Sequence, residues 1–259
     1  MKKRILAVLI ATALAVSVTG CAGNATSSSD STSASSVAES SDTSTQTSAD
    51  ASSEDESKDE SSQEESKDLE ANYTKYTLDG DLTQHMIDMS RLNEGNKVRL
   101  ANVIKKLKNG EEVTVGFIGG SITQGTSAGN DLCYAKLTAD WLQKTYSNAK
   151  INYVNAGIGA TGSYIGVHRV ANDLLSKNPD LVFVEFSVND TTENTERNKK
   201  SYDGLLRTIW KSSTNPAIIT IATTQEDGTS FQDQHAEIVK HYDLPMISYR
   251  NTILDTIKH

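Results

Sequence analysis

The sequence has few cysteines, no basic patch and only one long apolar run. Two of its 259 residues are cysteines, Cys21 and Cys133, so no disulfide framework is expected within the chain. No group of His, Cys and Asp residues has the spacing of metal ligands, so the sequence predicts no metal centre and indicates no cofactor. The lack of a patch rich in Lys and Arg argues against a nucleic-acid partner. Beyond residue 18, no apolar run is long enough to cross a bilayer.

The first 21 residues have the features of a secretory signal. Lys2, Lys3 and Arg4 precede an apolar run over residues 5–18, which is too short to be a comfortable membrane span. The run ends in Val-Thr-Gly-Cys21, which resembles a bacterial lipobox, and this resemblance implies a lipid on Cys21. We therefore expect a lipoprotein signal peptide and an extracytoplasmic protein that is lipid-anchored to the bacterial cell membrane. The alternative is an ordinary secretory signal with a chance cysteine.

Residues 22–70 form a spacer of low complexity. They are rich in Ser and Thr, and they contain 13 acidic and 2 basic residues but almost no large apolar side chain. Such a segment cannot bury enough apolar surface to offset the entropy of ordering, so we expect it to be disordered. It carries the net acidity of the chain, whereas residues 71–259 are close to neutral. The sequence therefore predicts a tethered domain over residues 71–259.

This domain alternates apolar strands with amphipathic helices. Strands are predicted at residues 113–119, 151–155, 181–188, 217–223 and 246–249. Helices are predicted around residues 96–108, 131–146, 167–174, 202–209, 231–242 and 251–258. Such alternation is typical of a parallel sheet with helices on both faces. We expect the strand order 2-1-3-4-5, which places the first strand in the interior of the sheet.

Three loops at the carboxyl ends of the first three strands carry the polar chemistry. They span residues 119–125, 156–163 and 187–192, at the edge where open α/β sheets bind ligands. Ser121 follows two glycines after the first strand, and a hydroxyl held on a sharp turn is a candidate nucleophile. A simple Gly-Gly-Ser turn is the alternative. An oxyanion formed there could be bound by N–H groups of Ser121 and of the glycine-rich loop, and by the side-chain amide of Asn189.

The three loops resemble the motif blocks of the SGNH (GDSL-type) hydrolases. Gly-Gly-Ser121-Ile-Thr resembles the first block, residues 155–162 the second, and Ser-Val-Asn189-Asp the third, within a match over about 113–249. The resemblance implies a flavodoxin-like three-layer α/β/α sandwich with a five-stranded parallel sheet. It also implies an esterase, in a family that includes carbohydrate deacetylases and lipases. Ser121 would be the nucleophile and Asn189 a donor to the oxyanion.

The second block departs from the family pattern in one position. Ala160 stands where the family usually has the glycine that binds the oxyanion. An alanine N–H can still donate a hydrogen bond, so this contact is assigned to Ala160, with Gly157 as the alternative. The implied oxyanion hole therefore consists of Ser121, Asn189 and one of these two amides.

The family's closing Asp-x-x-His block, which supplies the base and the residue that orients it, has no match in the sequence. Asp255 and His259 are separated by one residue too many, and Asp233 and His235 by one too few. His259 is the candidate base within the chain. We expect that the chain stops before the final loop and helix of this fold.

Two other interpretations compete with the esterase. Residues 157–162 match Gly-x-Gly-x-x-Gly, but they follow the second strand rather than the first and lack the acidic residue that a dinucleotide site needs at the end of the next strand. The sequence thus predicts a membrane-anchored serine esterase that acts on a small ester, such as an O-acetylated carbohydrate. The main alternative is a catalytically inactive or truncated protein of the same fold that binds a surface ligand.

Overall fold

The computed structural model describes residues 84–257. The expected signal peptide, its lipidated Cys21, the spacer and the candidate base His259 lie outside the described residues. Among residues 84–257, no helix combines the length and the apolar character that a bilayer span requires.

A six-stranded sheet forms the centre of the described part of the chain. Its strands are β1 (Arg91–Asn93), β2 (Glu112–Gly119), β3 (Lys150–Gly157), β4 (Leu181–Glu185), β5 (Ala217–Ala222) and β6 (Met246–Ser248). They are ordered β1-β6-β5-β4-β2-β3 across the sheet. The strands from β2 to β6 are parallel, and they confirm the predicted 2-1-3-4-5 order. A sixth strand joins the five that the sequence predicts: β1 is a short edge strand that pairs antiparallel with β6.

Helices cover both faces of the sheet, as predicted. They are α1 (Gln84–Ser90), α2 (Val98–Lys108), α3 (Ser121–Gln124), α4 (Tyr134–Thr145), α5 (Ser163–Asp173), α6 (Thr195–Trp210), α7 (Gln232–His241) and α8 (Tyr249–Ile257). Helix α6 shows the pattern that sets their orientation, since Tyr202, Leu205, Leu206 and Ile209 are all buried at helical spacing.

The alternation of side chains along β2 separates two hydrophobic cores. Phe117 faces the core beneath α2 and α4, where its ring stacks on Phe183 with 4.8 Å between centroids. Ile118 faces the opposite core, beneath α5, α6 and α7. Cys133 is buried in the first core, as predicted for a small apolar residue. Because both faces are covered, the ends of the strands are the places where loops can meet a ligand.

The third parallel strand is shorter than the sequence predicted. A strand was expected over residues 181–188, but β4 ends at Glu185. The amides of Asn189 and Asp190 both donate to the carbonyl oxygen of Phe186, so the chain turns immediately after the strand. This turn places Asn189 and Asp190 at the carboxyl edge of the sheet rather than beyond it.

Candidate active site

The three polar loops meet because β2 lies between β3 and β4. Gly119, the last residue of β2, is in register with Gly157 on β3 and with Glu185 on β4. The residues that follow these three positions therefore start side by side at one edge of the sheet. This juxtaposition brings Ser121, Ala160 and Asn189 into one region.

Ser121 occupies the first position of a single helical turn directly after β2. The turn α3 ends at Gly125, whose φ of 91° is a left-handed conformation that suits glycine. As the first helical residue, Ser121 has an N–H without an intrahelical acceptor. Its side chain is half-buried, and its hydroxyl makes no hydrogen bond within the described residues. Both groups are free to contact a ligand.

Two glycines allow the loops to approach this turn closely. A Cβ at Gly120 would lie 1.9 Å from Oδ1 of Asn189, and a Cβ at Gly157 would lie 2.3 Å from the amide nitrogen of Gln124. Any side chain at these positions would push the loops apart. Asn189 thus packs directly against the residue that precedes Ser121.

The amide of Asn189 is oriented by this contact. Its Oδ1 is buried and accepts no hydrogen bond, whereas its Nδ2 is not enclosed and has no acceptor among the described residues. An uncharged N–H donor that is both accessible and unpaired can bind a developing negative charge.

Only some backbone N–H groups of the second loop, residues 156–163, lack a hydrogen-bond acceptor among the described residues. The amide of Gly157 donates to Oδ1 of Asn155 at 2.9 Å, and the amide of Gly159 donates to Oε1 of Gln124 at 2.6 Å. The amide of Ile158 donates to the carbonyl oxygen of Gly119. The amide of Ala160 has no acceptor among the described residues. Of the two sequence candidates, Ala160 is therefore the one whose donor is available.

The backbone of Ala160 explains why a glycine is expected at this position. Its φ is 56°, in the left-handed region. Non-glycine residues reach this conformation at a cost of about 1 kcal/mol, because Cβ crowds the following carbonyl oxygen. Ala160 nevertheless adopts this left-handed turn.

Asp190 is a buried carboxylate that fixes the loop that carries Asn189. Oδ1 of Asp190 accepts the amide hydrogen of Ser163 at 2.9 Å, and Oδ2 lies 2.9 Å from Nε2 of His235. Asp190 therefore connects the third loop to the start of α5 and to α7. A Cβ at Gly162 would lie 2.5 Å from Oδ1 of Asp190, so position 162 has no room for a side chain.

His235 is a structural partner of Asp190 rather than a free base. Its ring is fully buried and stacks on Tyr202 with 3.6 Å between centroids. Nδ1 has no partner, so the neutral ring with its proton on Nε2 leaves no donor unsatisfied. Burial lowers the pKa of His235, and the nearby carboxylate of Asp190 opposes this effect. The ring therefore stays neutral, and its Nε2 proton is engaged by Asp190.

Arg169 on α5 braces the ends of β2 and β3. Its guanidinium donates to the carbonyl oxygen of Ala156 at 2.5 Å and to that of Gly119 at 3.0 Å. This role of Arg169 is not predictable from the sequence, because the spacing of residues along α5 does not show that the side chain points at the strand ends.

Glu185 lies buried beneath the turn that carries Ser121. Its Oε1 accepts the hydroxyl hydrogen of Thr223 at 2.6 Å, and its Oε2 lies 3.5 Å from Oγ1 of Thr123. The hydroxyl groups of Thr123 and Tyr134 are 2.9 Å apart, and burial raises the pKa of Tyr134 well above its usual range. Burial also raises the pKa of Glu185, while hydrogen bonds from Thr223 and Ser187 oppose the shift.

This shift predicts a pH-dependent effect of the variant Glu185→Gln. In the unfolded chain Glu185 ionises near its ordinary value of 4.5, but in the folded protein it stays protonated to higher pH. Its contribution to stability is therefore lost as the pH rises from about 4.5 towards the raised pKa. Glutamine does not ionise, so the variant should gain stability relative to the wild type over this window, by at most about 1.4 kcal/mol per pH unit.

Urea unfolding of both proteins between pH 4 and pH 8 measures this difference. Glu226→Gln, at an exposed carboxylate, is the matched control and should show no such trend. A free-energy difference between Glu185→Gln and the wild type that is constant with pH would contradict the assignment.

The other histidines lie away from Ser121 or outside the description. His241 ends α7, at the edge of the sheet opposite to Ser121, because the parallel strand β6 begins after it. His85 lies in α1, next to β1, which is four strands from β2. His168 is exposed on α5 and lines a groove between α5 and α6. His259 lies outside the described residues.

Comparison with known proteins gives two findings. Residues 117–245 match the GDSL-like Lipase/Acylhydrolase family. Among solved structures, a two-domain esterase (CEX) active on acetylated mannans, co-crystallized with mannopentaose, is 40% identical, with a TM-score of 0.64. The match covers 66% of this chain and 47% of that one. A second structure of this esterase has the same identity and TM-score, and 46% of its chain is covered. No curated protein sequence matches the chain.

The chain spans about half the length of the esterase structures that it matches. The likeness therefore concerns the α/β domain with its three loops.

Proposed function

Because residues 117–245 belong to the GDSL-like lipase/acylhydrolase family, we propose that this protein is a serine ester hydrolase that deacylates a glycan ester through an acyl-enzyme on Ser121. The observation that carries the proposal is the meeting of three unpaired groups at one edge of the sheet. These groups are the hydroxyl of Ser121, the amide N–H of Ala160 and the side-chain N–H of Asn189. A nucleophile beside uncharged donors is the arrangement that acyl transfer requires.

The proposed reaction has two steps. The Ser121 oxygen attacks the ester carbonyl carbon and gives its proton to a base, while the new oxyanion is held by the N–H groups of Ser121, Ala160 and Asn189. The intermediate then expels the sugar hydroxyl, which takes a proton from the conjugate acid of the base, and leaves an acyl group on Ser121. Water attacks this acyl-enzyme in the same way and releases the acid.

The base is proposed to come from outside the described residues. Of the five histidines in the chain, His235 is engaged by Asp190, and His85 and His241 lie away from Ser121. His168 is exposed on α5 and lines the groove between α5 and α6. No hydrogen bond joins a histidine to the Ser121 hydroxyl within the described residues. The proposal therefore keeps His259 as the candidate base.

The substrate class is proposed from the surroundings of Ser121 and from the matched esterase. Residues 126–132, which follow the Ser121 turn, are exposed and mostly polar, so the region is open to a large hydrophilic ligand. The matched structure is described as an esterase active on acetylated mannans, and this supports an acetylated glycan as the substrate of the present chain. We propose an O-acetylated oligosaccharide as the substrate.

The test of this function is labelling of the full chain with a fluorophosphonate, followed by peptide mass spectrometry. Covalent phosphonylation of Ser121, together with release of acetate from an acetylated mannan or xylan, is the expected result. A folded chain that neither reacts at Ser121 nor releases acetate would refute the hydrolase and favour the binding protein of the same fold.

The location of the protein is proposed from its first 21 residues. The charged start, the apolar run and the lipobox-like Cys21 support a lipid anchor that holds the hydrolase outside the cell. In a bacterial host, the wild-type chain should be found in the membrane fraction, and Cys21→Ala should be lost from it. An equal distribution of the two proteins would refute the anchor.

A further inference from the structure

A groove of about 460 Å³ lies between α5 and α6, next to the loops of the candidate site. Its walls come from the exposed starts of both helices, and its lining consists of Tyr164, Val167, His168, Arg197, Lys200 and Ser201. The proposed reaction at Ser121 uses none of these side chains. The proposed chemistry at Ser121 therefore gives no reason for the side chains that line the groove.

The charged residues of the groove are all basic. Arg197 and Lys200 are exposed, lie one turn apart on α6, and form no ion pair within the described residues. The nearby acids Glu193 and Glu196 are exposed and do not line the groove. Since unpaired cations that face one cavity attract an anion, the groove favours a negatively charged ligand.

The groove also offers an aromatic surface. Tyr164 is 44% exposed and lies edge-on to His168, with 5.3 Å between ring centroids. The guanidinium carbon of Arg197 is 5.0 Å from the centre of the Tyr164 ring. This contact holds the guanidinium group of Arg197 near the flat apolar face of Tyr164. A ligand that has both a ring and a planar anionic group would contact Tyr164 with its ring and Arg197 with its anionic group.

The groove lies close to Ser121 in space, although its residues are far from Ser121 in the sequence. A Cβ at Gly120 would be 3.3 Å from the carbonyl oxygen of Thr161, so Thr161 packs beside the Ser121 turn. Tyr164 follows Thr161 by three residues, which span at most about 11 Å. A short oligosaccharide with its ester at Ser121 can therefore reach the groove.

We propose that this groove binds a uronic acid residue of the glycan substrate. Arg197 and Lys200 contact the sugar carboxylate, and Tyr164 packs against the sugar ring. The inference rests on the proposed hydrolase function and narrows its substrate class to acidic acetylated oligosaccharides. A guanidinium fork matches a planar carboxylate in two parallel hydrogen bonds, and the carboxylate is the anionic group that a uronic acid carries.

The test measures binding without turnover, on the full chain that carries Ser121→Ala. Isothermal titration compares a trimer of galacturonic acid with mannotriose and with a sulfated trisaccharide. We expect the uronic acid trimer to bind at least about tenfold more tightly than either, and more weakly at high salt. Adding Arg197→Ala should weaken binding of the acidic trimer about tenfold.

Lys211→Ala is the matched control, because it removes an exposed cation just beyond the end of α6 and outside the groove. It should leave the affinity for the acidic trimer within about twofold. Equal affinity for the acidic and neutral trimers, tighter binding of the sulfated sugar, or equal effects of Arg197→Ala and Lys211→Ala would each overturn the proposal. Failure of both Ser121 labelling and acetate release, with the binding results unchanged, would refute the hydrolase but not the groove.

Discussion

The variant Ser121→Ala should lose ester hydrolysis by about 10⁴- to 10⁶-fold in kcat, as expected when an enzyme loses its nucleophile. The reason is local, because Ser121 is the residue that carries a hydroxyl at the start of α3. Ser121 is half-buried and its hydroxyl makes no hydrogen bond in the described structure, so the substitution removes no stabilising contact. The melting temperature should therefore change by only a few degrees.

Hydrolysis of an activated acetate ester measures this loss, and Ser127→Ala is a matched control. Ser127 is an exposed serine in the loop that follows the same turn, and its removal should leave the rate within about twofold. Comparable rates for Ser121→Ala and the wild type would place the reaction elsewhere in the molecule.

The variant Gly120→Ala should lower kcat about 10²- to 10³-fold, the loss that follows removal of one oxyanion donor. The new Cβ would lie 1.9 Å from Oδ1 of Asn189 and 2.8 Å from its Cγ. The contact is with the end of a half-buried side chain, so that amide can move away while the fold is retained. Asn189→Ala should give a similar loss, because both variants remove the same donor.

Combining the two substitutions distinguishes this mechanism from a general disturbance. If Gly120→Ala acts through Asn189, the double variant should be no slower than the slower single variant. Gly204→Ala is the control, since its Cβ would make an ordinary 3.5 Å contact with Val167 on a helix. Fully additive losses of kcat in the double variant would contradict the mechanism.

Most of the fold follows from periodicity in the sequence. The apolar runs that became β2, β4 and β5 and the amphipathic pattern of α6 depend on neighbouring residues only, so they can be recognised without a structure. The edge strand β1 was missed because its three residues carry no pattern. It pairs with β6, and Nδ2 of Asn93 donates to the carbonyl oxygen of Leu244, so it depends on contacts between segments far apart in the sequence.

The site was predictable in position but not in its supporting contacts. Ser121 and Asn189 stand at the ends of apolar runs, and this is enough to place them at one edge of a parallel sheet. The choice between Ala160 and Gly157 needs the structure, since only there is the Gly157 amide seen to bond Asn155. The pairing of Asp190 with His235 depends on two helices folding over the same loop, which spacing cannot show.

The position of β3 at the edge of the described sheet makes the site less robust than the core. β3 is partly exposed along most of its length, whereas β4 is buried throughout. Edge strands open locally at a lower free energy than central ones. Ala160 lies only three residues beyond the end of β3, so fraying of this strand would displace its amide while the buried strands remain paired. Mild heating should therefore abolish catalysis before the cooperative unfolding transition, and the inactivation should reverse on cooling.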